Sequence, residues 1–260
     1  MARFPTVLFP PALTTLDSNA AQNQDALQQA LRQTVKPVAA HYRPPRGHSE
    51  TQFEVDLWRY FPGKIHTGLL LPRPDQASPY TPDFSYIEPA LNLHIDIEVD
   101  EPYTYDTRQP LHYLHCTKDQ QRNQRFLEWG GVVIRFSEAQ VVKYPASCCK
   151  TVASVVSKIT GDNSVMVSFR QVPTLKPEPC WTLATAHQMA AARYRESYLP
   201  QLQPDQKTSK SKRRKENTPS RSRMLTAKLT FYCPECGDGP IRWQGHYICC
   251  PNCQYDAFVL

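Results

Sequence analysis

The sequence predicts a mixed α/β fold, and two segments near its middle carry that prediction. Residues 94–100 read His-Ile-Asp-Ile-Glu-Val-Asp, so polar and apolar side chains alternate with the period of two that marks a β-strand. Phe53, Leu57, Tyr60 and Phe61 recur at the spacing of one helix face. Helical and strand patterns that interleave along one chain favour helices packed against a mixed sheet.

The predicted elements follow in the order helix, strand, strand, strand, helix, strand, helix. Ser49 and Gln52 have the spacing of a capping box, and Pro62-Gly63 ends this first helix. Helical spacing places Glu50 within its apolar face and Glu54 at the edge. The other predicted elements are strands at 66–71, 82–87, 93–99 and 132–136, a helix at 117–129 closed by Gly130-Gly131, a helix with Cys148 in its apolar stripe, a strand over 165–169, a helix after Trp181 and a polar helix over 17–35.

Composition divides the chain into four parts. Residues 1–47 are rich in Pro, Gln and Ala and are expected to be irregular outside the polar helix. Residues 48–199 carry the periodic pattern of the α/β domain. Residues 200–226 are polar and basic without an apolar period, which predicts a flexible linker, and residues 227–260 contain paired cysteines.

Positive charge is concentrated in the linker. The whole chain has a net charge of +6, and residues 207–223 contain eight Lys or Arg against one Glu. The rest of the chain is therefore close to neutral. A basic arm of this kind is attracted to phosphate polymers. We expect DNA as the partner, contacted at the centre of the arm by Lys212, Arg213, Arg214 and Lys215.

Two Cys-x-x-Cys pairs near the C-terminus predict a structural zinc site. Thirteen residues separate the pair Cys233 and Cys236 from the pair Cys250 and Cys253. Each pair presents two thiolates from a tight turn, and two pairs complete a tetrahedral Zn²⁺ site. Such a tail resembles a zinc ribbon. It is too short to fold by burial of apolar surface alone, so folding and metal binding should be coupled.

No membrane segment is expected. The longest aliphatic run, Leu69-Leu70-Leu71, is far too short to cross a bilayer, and the first residues show no apolar signal-peptide core. Cysteines arranged as metal ligands rather than as a disulfide framework favour a reducing compartment. The sequence therefore predicts a cytoplasmic protein.

The polar face of the strand at residues 93–99 is the main candidate for chemistry. Asp96, Glu98 and Asp100 point to one side of the strand, where their charges repel one another. A divalent cation would relieve this repulsion, and hard cations prefer carboxylate oxygens. The sequence therefore predicts a metal site beside this strand.

An acidic helix, then Pro82-Asp83-Phe84, then Ile97-Glu98-Val99-Asp100, a helix and the strand 133–136 together resemble the PD-(D/E)XK nuclease superfamily. The resemblance covers roughly residues 48–158 and is nearest to the small branch related to very-short-patch repair endonucleases. It implies a restriction-endonuclease-like mixed sheet and a metal-dependent DNA endonuclease. By matching motif positions it implies that Asp83 and Glu98 bind Mg²⁺ or Mn²⁺. Glu50, or less favourably Glu54, would be the helix acid.

One position departs from the family pattern. The superfamily has a lysine two residues after the Glu, and Asp100 stands there in this chain. Asp100 could bind a second cation in a two-metal site, which is the reading we favour. Lys118 could instead supply the missing charge from the following helix, or His112 could serve as general base.

Three functions follow from these patterns. Lys118, Arg122 and Arg125 share one helix face and could clamp a phosphate backbone, as an endonuclease requires. The missing lysine favours a rival, a degenerate nuclease fold that only binds DNA or a protein partner within a larger complex. In a third hypothesis the zinc ribbon dominates, and the chain is an adaptor in transcription or transposition.

Overall fold

The chain divides into two compact units, Met1–Gln206 and Lys207–Leu260. The computed structural model describes residues 2–14, 24–39, 46–47, 49–71, 73, 79–199, 242–244, 247–249 and 256–258.

A five-stranded sheet forms the centre of the first unit. In spatial order its strands are β2 (Thr6–Leu8), β8 (Val132–Ser137), β7 (Leu93–Asp100), β6 (Phe84–Glu88) and β4 (Ile65–His66). β7 and β8 run parallel, and the other neighbouring strands are antiparallel. Two short ladders join β1 (Arg3–Phe4) to β9 (Glu178–Pro179) and β3 (Val38–Ala39) to β5 (Leu69–Leu70). The predicted mixed α/β class is confirmed.

Helices flank this sheet. They are α1 (Pro11–Thr14), α2 (Gln24–Leu31), α3 (Glu50–Tyr60), α4 (Thr117–Glu128), α5 (Glu138–Lys143), α6 (Pro145–Thr160) and α7 (Leu183–Ala191), with 3₁₀ helices at Ser164–Phe169 and Tyr194–Ser197. The predictions of α4, of the strand at 132–136 and of a buried Cys148 in α6 are confirmed.

The two faces of the sheet are covered differently, and this difference positions the site. Ile95, Ile97 and Val99 of β7 pack into the main apolar core with residues of α3 and α6. On the opposite face, Val133 of β8 packs against Phe126 of α4. Because side chains alternate along a strand, the polar side chains of β7 lie on the side that α4 covers.

Several local predictions are wrong. Ser49 makes no side-chain capping bond; instead, the backbone N–H of Gly47 donates to Glu50 Oε1 over 2.7 Å. The segment predicted as a strand at 165–169 is a 3₁₀ helix. Its side chains pack against α6, and this packing overrides the alternation of apolar residues.

The N-terminal segment is more ordered than its composition predicts. Thr6–Leu8 forms an edge strand that pairs with β8. Leu27 and Leu31 of α2 are buried, whereas Val35, which the predicted helix over 17–35 includes, lies beyond α2 and is exposed. This segment therefore contributes both a strand and core residues to the first unit.

The second unit contains a three-stranded antiparallel meander of β10 (Arg242–Gln244), β11 (Tyr247–Cys249) and β12 (Asp256–Phe258). The proposed zinc ligands Cys233, Cys236, Cys250 and Cys253 and the proposed phosphate contacts Lys212, Arg213, Arg214 and Lys215 lie outside the described residues. Both assignments stay predictions. Within the described ranges, no helix combines the length and apolarity needed to cross a membrane.

Candidate active site

Three carboxylates of β7 are buried beneath α4. Asp96, Glu98 and Asp100 are 3%, 2% and 3% exposed. They share one strand face as predicted, but they do not line a solvated surface. Buried carboxylates need compensating charge or hydrogen bonds, so their partners decide what this face can do.

Asp83 and Glu98 lie side by side. Asp83 directly precedes β6, and its Oδ2 accepts a hydrogen bond of 2.8 Å from the Val99 N–H. The Asp83 N–H lies 3.4 Å from Glu98 Oε1. Desolvation and the nearby charges of Glu98 and Glu50 raise the pKa of Asp83 well above its usual value. The two acids that the family resemblance pairs are therefore neighbours.

Glu50 joins this pair from the start of α3. Burial raises the pKa of Glu50, and Glu98 adds to this effect, while the Gly47 N–H and Arg46 oppose it. A helix terminus and two adjacent strands thus bring Glu50, Asp83 and Glu98 into one region of mutual repulsion. Glu54, the alternative helix acid, is instead held by the guanidinium of Arg46, with one contact of 2.9 Å.

Arg122 of α4 holds Glu98. Its Nη2 donates to Glu98 Oε1 and, over 2.8 Å, to the carbonyl oxygen of Thr81. Of the three predicted phosphate contacts on α4, Arg122 therefore turns inward and is held by Glu98 in this structure. Lys118 is exposed, and Arg125 lies 3.3 Å from Glu128. The helical spacing was visible in the sequence. The bond from Arg122 to Glu98 beneath α4, which sets Arg122 apart from Lys118 and Arg125, was not.

Asp100 is held by a second arginine. Arg135 of β8 donates from Nε to Asp100 Oδ2 over 2.9 Å and from Nη2 to Oδ1 over 2.6 Å. Both carboxylate oxygens are thus engaged by one permanent cation. This geometry corrects the prediction that Asp100 is an open ligand for a second metal ion.

His112 lies in the loop between β7 and α4. Its Nδ1 is 3.1 Å from Asp119 Oδ1, and its Nε2 is 3.8 Å from Glu101 Oε2. Burial alone lowers the pKa of His112, but Asp100 and Asp119 reverse this and raise it to about 9. His112 is therefore a cation at neutral pH. The prediction of a general base does not fit this charge state, whereas a role as proton donor does.

Glu101 is a member of the site to which sequence reasoning assigned no role. A side chain at Gly47 would place its Cβ 2.6 Å from Glu50 Oε1 and 2.7 Å from Glu101 Oε1. The two carboxylates therefore face each other across a glycine. Burial and Glu138 raise the pKa of Glu101 to about 7, although His112 and Arg195 act in the opposite direction. Its position directly after Asp100 was the only sequence signal.

Asp96 is the second unassigned acid. Both of its carboxylate oxygens are buried, and no hydrogen-bond donor among the described residues reaches them. Burial and the charge of Glu98 raise its pKa well above the usual value. Asp96 lies on the same face of β7 as Glu98, but no sequence motif assigned it a role.

The donor set fits a hard divalent cation in chemistry, because carboxylate oxygens are the ligands that Mg²⁺ and Mn²⁺ prefer. Its arrangement is not yet that of a complete site. In the part of the chain that the structure describes, no three His, Cys, Asp or Glu side chains already surround a common metal position. Glu98 is instead paired with Arg122. No family model, curated protein or solved structure matches this chain.

Proposed function

We propose that this protein is a metal-dependent DNA endonuclease of the PD-(D/E)XK type, with Asp83 and Glu98 as metal ligands and Glu50 as the helix acid. The proposal is carried by the adjacency of Asp83 and Glu98, together with the charge of Glu50, which raises the pKa of Asp83. The three carboxylates come from the start of α3, the entry to β6 and the middle of β7, which is the arrangement that the sequence motif implies.

The electrostatics of the cluster support this proposal. Desolvation and mutual repulsion raise the pKa values of Asp83 and Glu50, so the cluster is short of positive charge. A bound Mg²⁺ or Mn²⁺ would supply that charge and a Lewis acid for phosphodiester hydrolysis. Glu50 would then orient the attacking water, and the Val99 N–H would keep the Asp83 carboxylate in place.

His112 is the candidate proton donor to the leaving oxygen. Asp119 accepts from Nδ1 at 3.1 Å, which leaves the Nε2–H directed away from that bond. With a pKa of about 9, the ring carries its proton at neutral pH. We assign His112 the general acid role, and Asp119 orients its ring.

The remaining parts of the chain would deliver the substrate. The arm containing Lys212, Arg213, Arg214 and Lys215 would bind DNA phosphates without sequence preference. Cys233, Cys236, Cys250 and Cys253 would hold a structural Zn²⁺ in a zinc ribbon. Lys118 and Arg125 of α4 remain candidate phosphate contacts, and a reducing cytoplasm would keep the four cysteines available to bind zinc.

A second candidate is a nuclease fold without catalysis that binds DNA or a protein partner. Arg122 on Glu98 and Arg135 on Asp100 favour it. In this alternative, the two arginines permanently replace the metal ion, and the acidic face is part of the folded core.

Cleavage of supercoiled plasmid and of single-stranded DNA in Mg²⁺ and Mn²⁺ separates the two candidates. The test compares the wild type with an Asp83→Asn/Glu98→Gln double variant. Glu88→Gln is the matched control, because Glu88 lies on β6 but pairs with Lys64 outside the cluster. If the protein is an endonuclease, the wild type and the Glu88→Gln control cleave DNA and the double variant does not. DNA binding without metal-dependent cleavage in any variant supports the binding module.

A further inference from the structure

The guanidinium of Arg122 lies near three carboxyl groups, those of Glu98, Asp96 and Asp83. Burial lowers its pKa, but Glu98, Asp96 and Asp83 more than reverse this and raise it above its usual value. One positive charge therefore faces three carboxylates on the α4 side of the sheet. This is the region where the proposed metal ligands Asp83 and Glu98 lie.

The hydrogen bonds in this region are incomplete on both sides. The Nε atom of Arg122 is buried and has no acceptor among the described residues, and both oxygens of the buried Asp96 lack a donor. A guanidinium has five N–H donors in a fixed plane, and a buried donor without a partner is costly. Arg122 is therefore not held in an optimal ion pair.

The neighbouring Arg135 shows what a complete pair looks like in the same sheet. It binds both oxygens of Asp100 and also donates to Asn123 over 3.0 Å. Its side chain is 5% exposed, whereas that of Arg122 is 19% exposed. Arg135 is thus fixed on all sides, and Arg122 makes its contact with Glu98 through one terminal nitrogen at a more open position.

We infer that Arg122 is an internal cation that competes with the divalent metal ion for Glu98, and that metal binding frees its guanidinium for the substrate phosphate. The inference rests on the proposed function. It makes Arg122 a positioning residue whose partner depends on metal occupancy. Its fork of donors suits a phosphate, for which arginine is a preferred ligand.

The arrangement also explains how a buried acid pair survives without metal. Arg122 neutralises Glu98 in the resting protein, and its guanidinium carbon lies 5.6 Å from the centre of the Phe126 ring. Exchange of one cation for another avoids leaving an uncompensated buried carboxylate, which would be strongly destabilising.

Mn²⁺ binding to the full-length, zinc-loaded chain tests this inference without DNA. The variants are Arg122→Gln, which keeps a donor for the Thr81 carbonyl, and Arg59→Gln, an exposed arginine of α3 that controls for loss of one positive charge. The Asp83→Asn/Glu98→Gln variant gives the Mn²⁺ uptake that is independent of the cluster. The measurement is the dissociation constant by calorimetry or by the Mn²⁺ electron paramagnetic resonance signal.

Removing the competitor should tighten Mn²⁺ binding by about tenfold or more, because charge-assisted hydrogen bonds are the stronger class, and Arg59→Gln should bind like the wild type. If the wild type binds Mn²⁺ at the cluster and Arg122→Gln binds no more tightly, the inference is overturned while the proposed metal site stands. If neither protein binds Mn²⁺ there, the inference and the proposed metal site are both overturned.

An Arg122→Lys variant, whose folding is checked by thermal melting, retains a competing cation. It should bind Mn²⁺ more weakly than Arg122→Gln, and the reverse order contradicts the inference.

Discussion

The backbone N–H of Val99 donates to Asp83 Oδ2 over 2.8 Å, so the residue next to Glu98 holds the acid opposite it. This bond crosses from β7 to the entry of β6. It ties the Asp83 carboxylate to the backbone directly after Glu98. Two repelling carboxylates are therefore kept together when no metal is bound.

Replacing Asp83 should separate activity from stability. In Asp83→Asn, a neutral side chain keeps an acceptor for the Val99 N–H while it removes a desolvated charge that Glu98 and Glu50 repel. We expect loss of cleavage by about 100-fold or more, as for other groups that act directly on the reacting centre, with unchanged or increased thermal stability. Plasmid cleavage rates and melting temperatures check this. A variant that unfolds would contradict the assignment of repulsion at this position.

Glu101 should make the protein less stable as the pH rises. Its pKa is raised from 4.5 to about 7 in the folded protein, so the folded state binds the proton more tightly than the unfolded state does. Its stabilising contribution is present below pH 4.5 and is lost as the pH rises through 7. The loss should be on the order of 1–3 kcal/mol.

Urea denaturation of Glu101→Gln between pH 4.5 and 9 measures this contribution. The fall in the free energy of unfolding between pH 4.5 and 7 should become shallower, and Glu128→Gln, an exposed acid on α4, should behave like the wild type. The fall between pH 6.5 and 9, to which the raised pKa of His112 contributes, should remain. An unchanged slope below pH 7 would show that Glu101 does not hold the proton.

Asp119 should set the protonation of His112. Its own pKa is lowered to about 2, because the hydrogen bond and charge of His112 outweigh the opposing effect of burial. Asp119→Asn removes one of the two acids that raise the pKa of His112, so that pKa should fall. The His112 ring resonance in an NMR pH titration measures it directly.

The same variant tests the general acid role. The alkaline limb of the pH–rate profile for cleavage should move to lower pH with the His112 pKa. Asp106→Asn, an exposed acid in the same loop, should leave both the titration and the limb in place. A shifted NMR titration with an unmoved rate profile would mean that His112 is structural.

Arg195 should be essential to the fold beside the site. It donates to both oxygens of the fully buried Glu138, each over 2.7 Å. Arg195→Ala leaves that carboxylate without its partner and should cost about 3–5 kcal/mol of unfolding free energy. Urea denaturation checks this, with the exposed Arg170→Ala as control. A loss no larger than that of the control would mean that the Arg195–Glu138 pair adds no net stability.

Zinc binding has its own expected outcome. The purified chain should contain one Zn²⁺, and a Cys233→Ser/Cys236→Ser variant should contain none, because two thiolates cannot complete a tetrahedral site. Metal analysis by mass spectrometry measures this. Cys180→Ser, a free cysteine of the first unit, should retain the metal.

Periodicity was sufficient to predict the elements whose side chains face one core. The alternation in β7 and the helical spacing of α4 and α6 describe their buried faces, since each face meets a single apolar layer. The edge strand Thr6–Leu8 could not be predicted, because three residues carry no period and its pairing with β8 is set by residues more than a hundred positions away.

The candidate site also combines residues that the sequence could identify with partners that it could not. Asp83, Glu98 and Glu50 were singled out by motif positions, and Asp83 and Glu98 are neighbours in the structure. The partners of the acids could not be predicted, because Arg122 and Arg135 lie on a separate helix and strand, and only the packing of α4 on the sheet decides which carboxylate each one meets. A run of acids in a sequence shows negative charge but not its neutralisation.

The ion pair between Asp100 and Arg135 changes how the acid at position 100 should be interpreted. An acid at this position makes the local charge negative, and the bidentate guanidinium of Arg135 on the neighbouring strand cancels it. The net charge at this part of the site therefore depends on Asp100 and Arg135 together. A single substitution at either position should therefore be tolerated far less than replacement of both residues by apolar side chains.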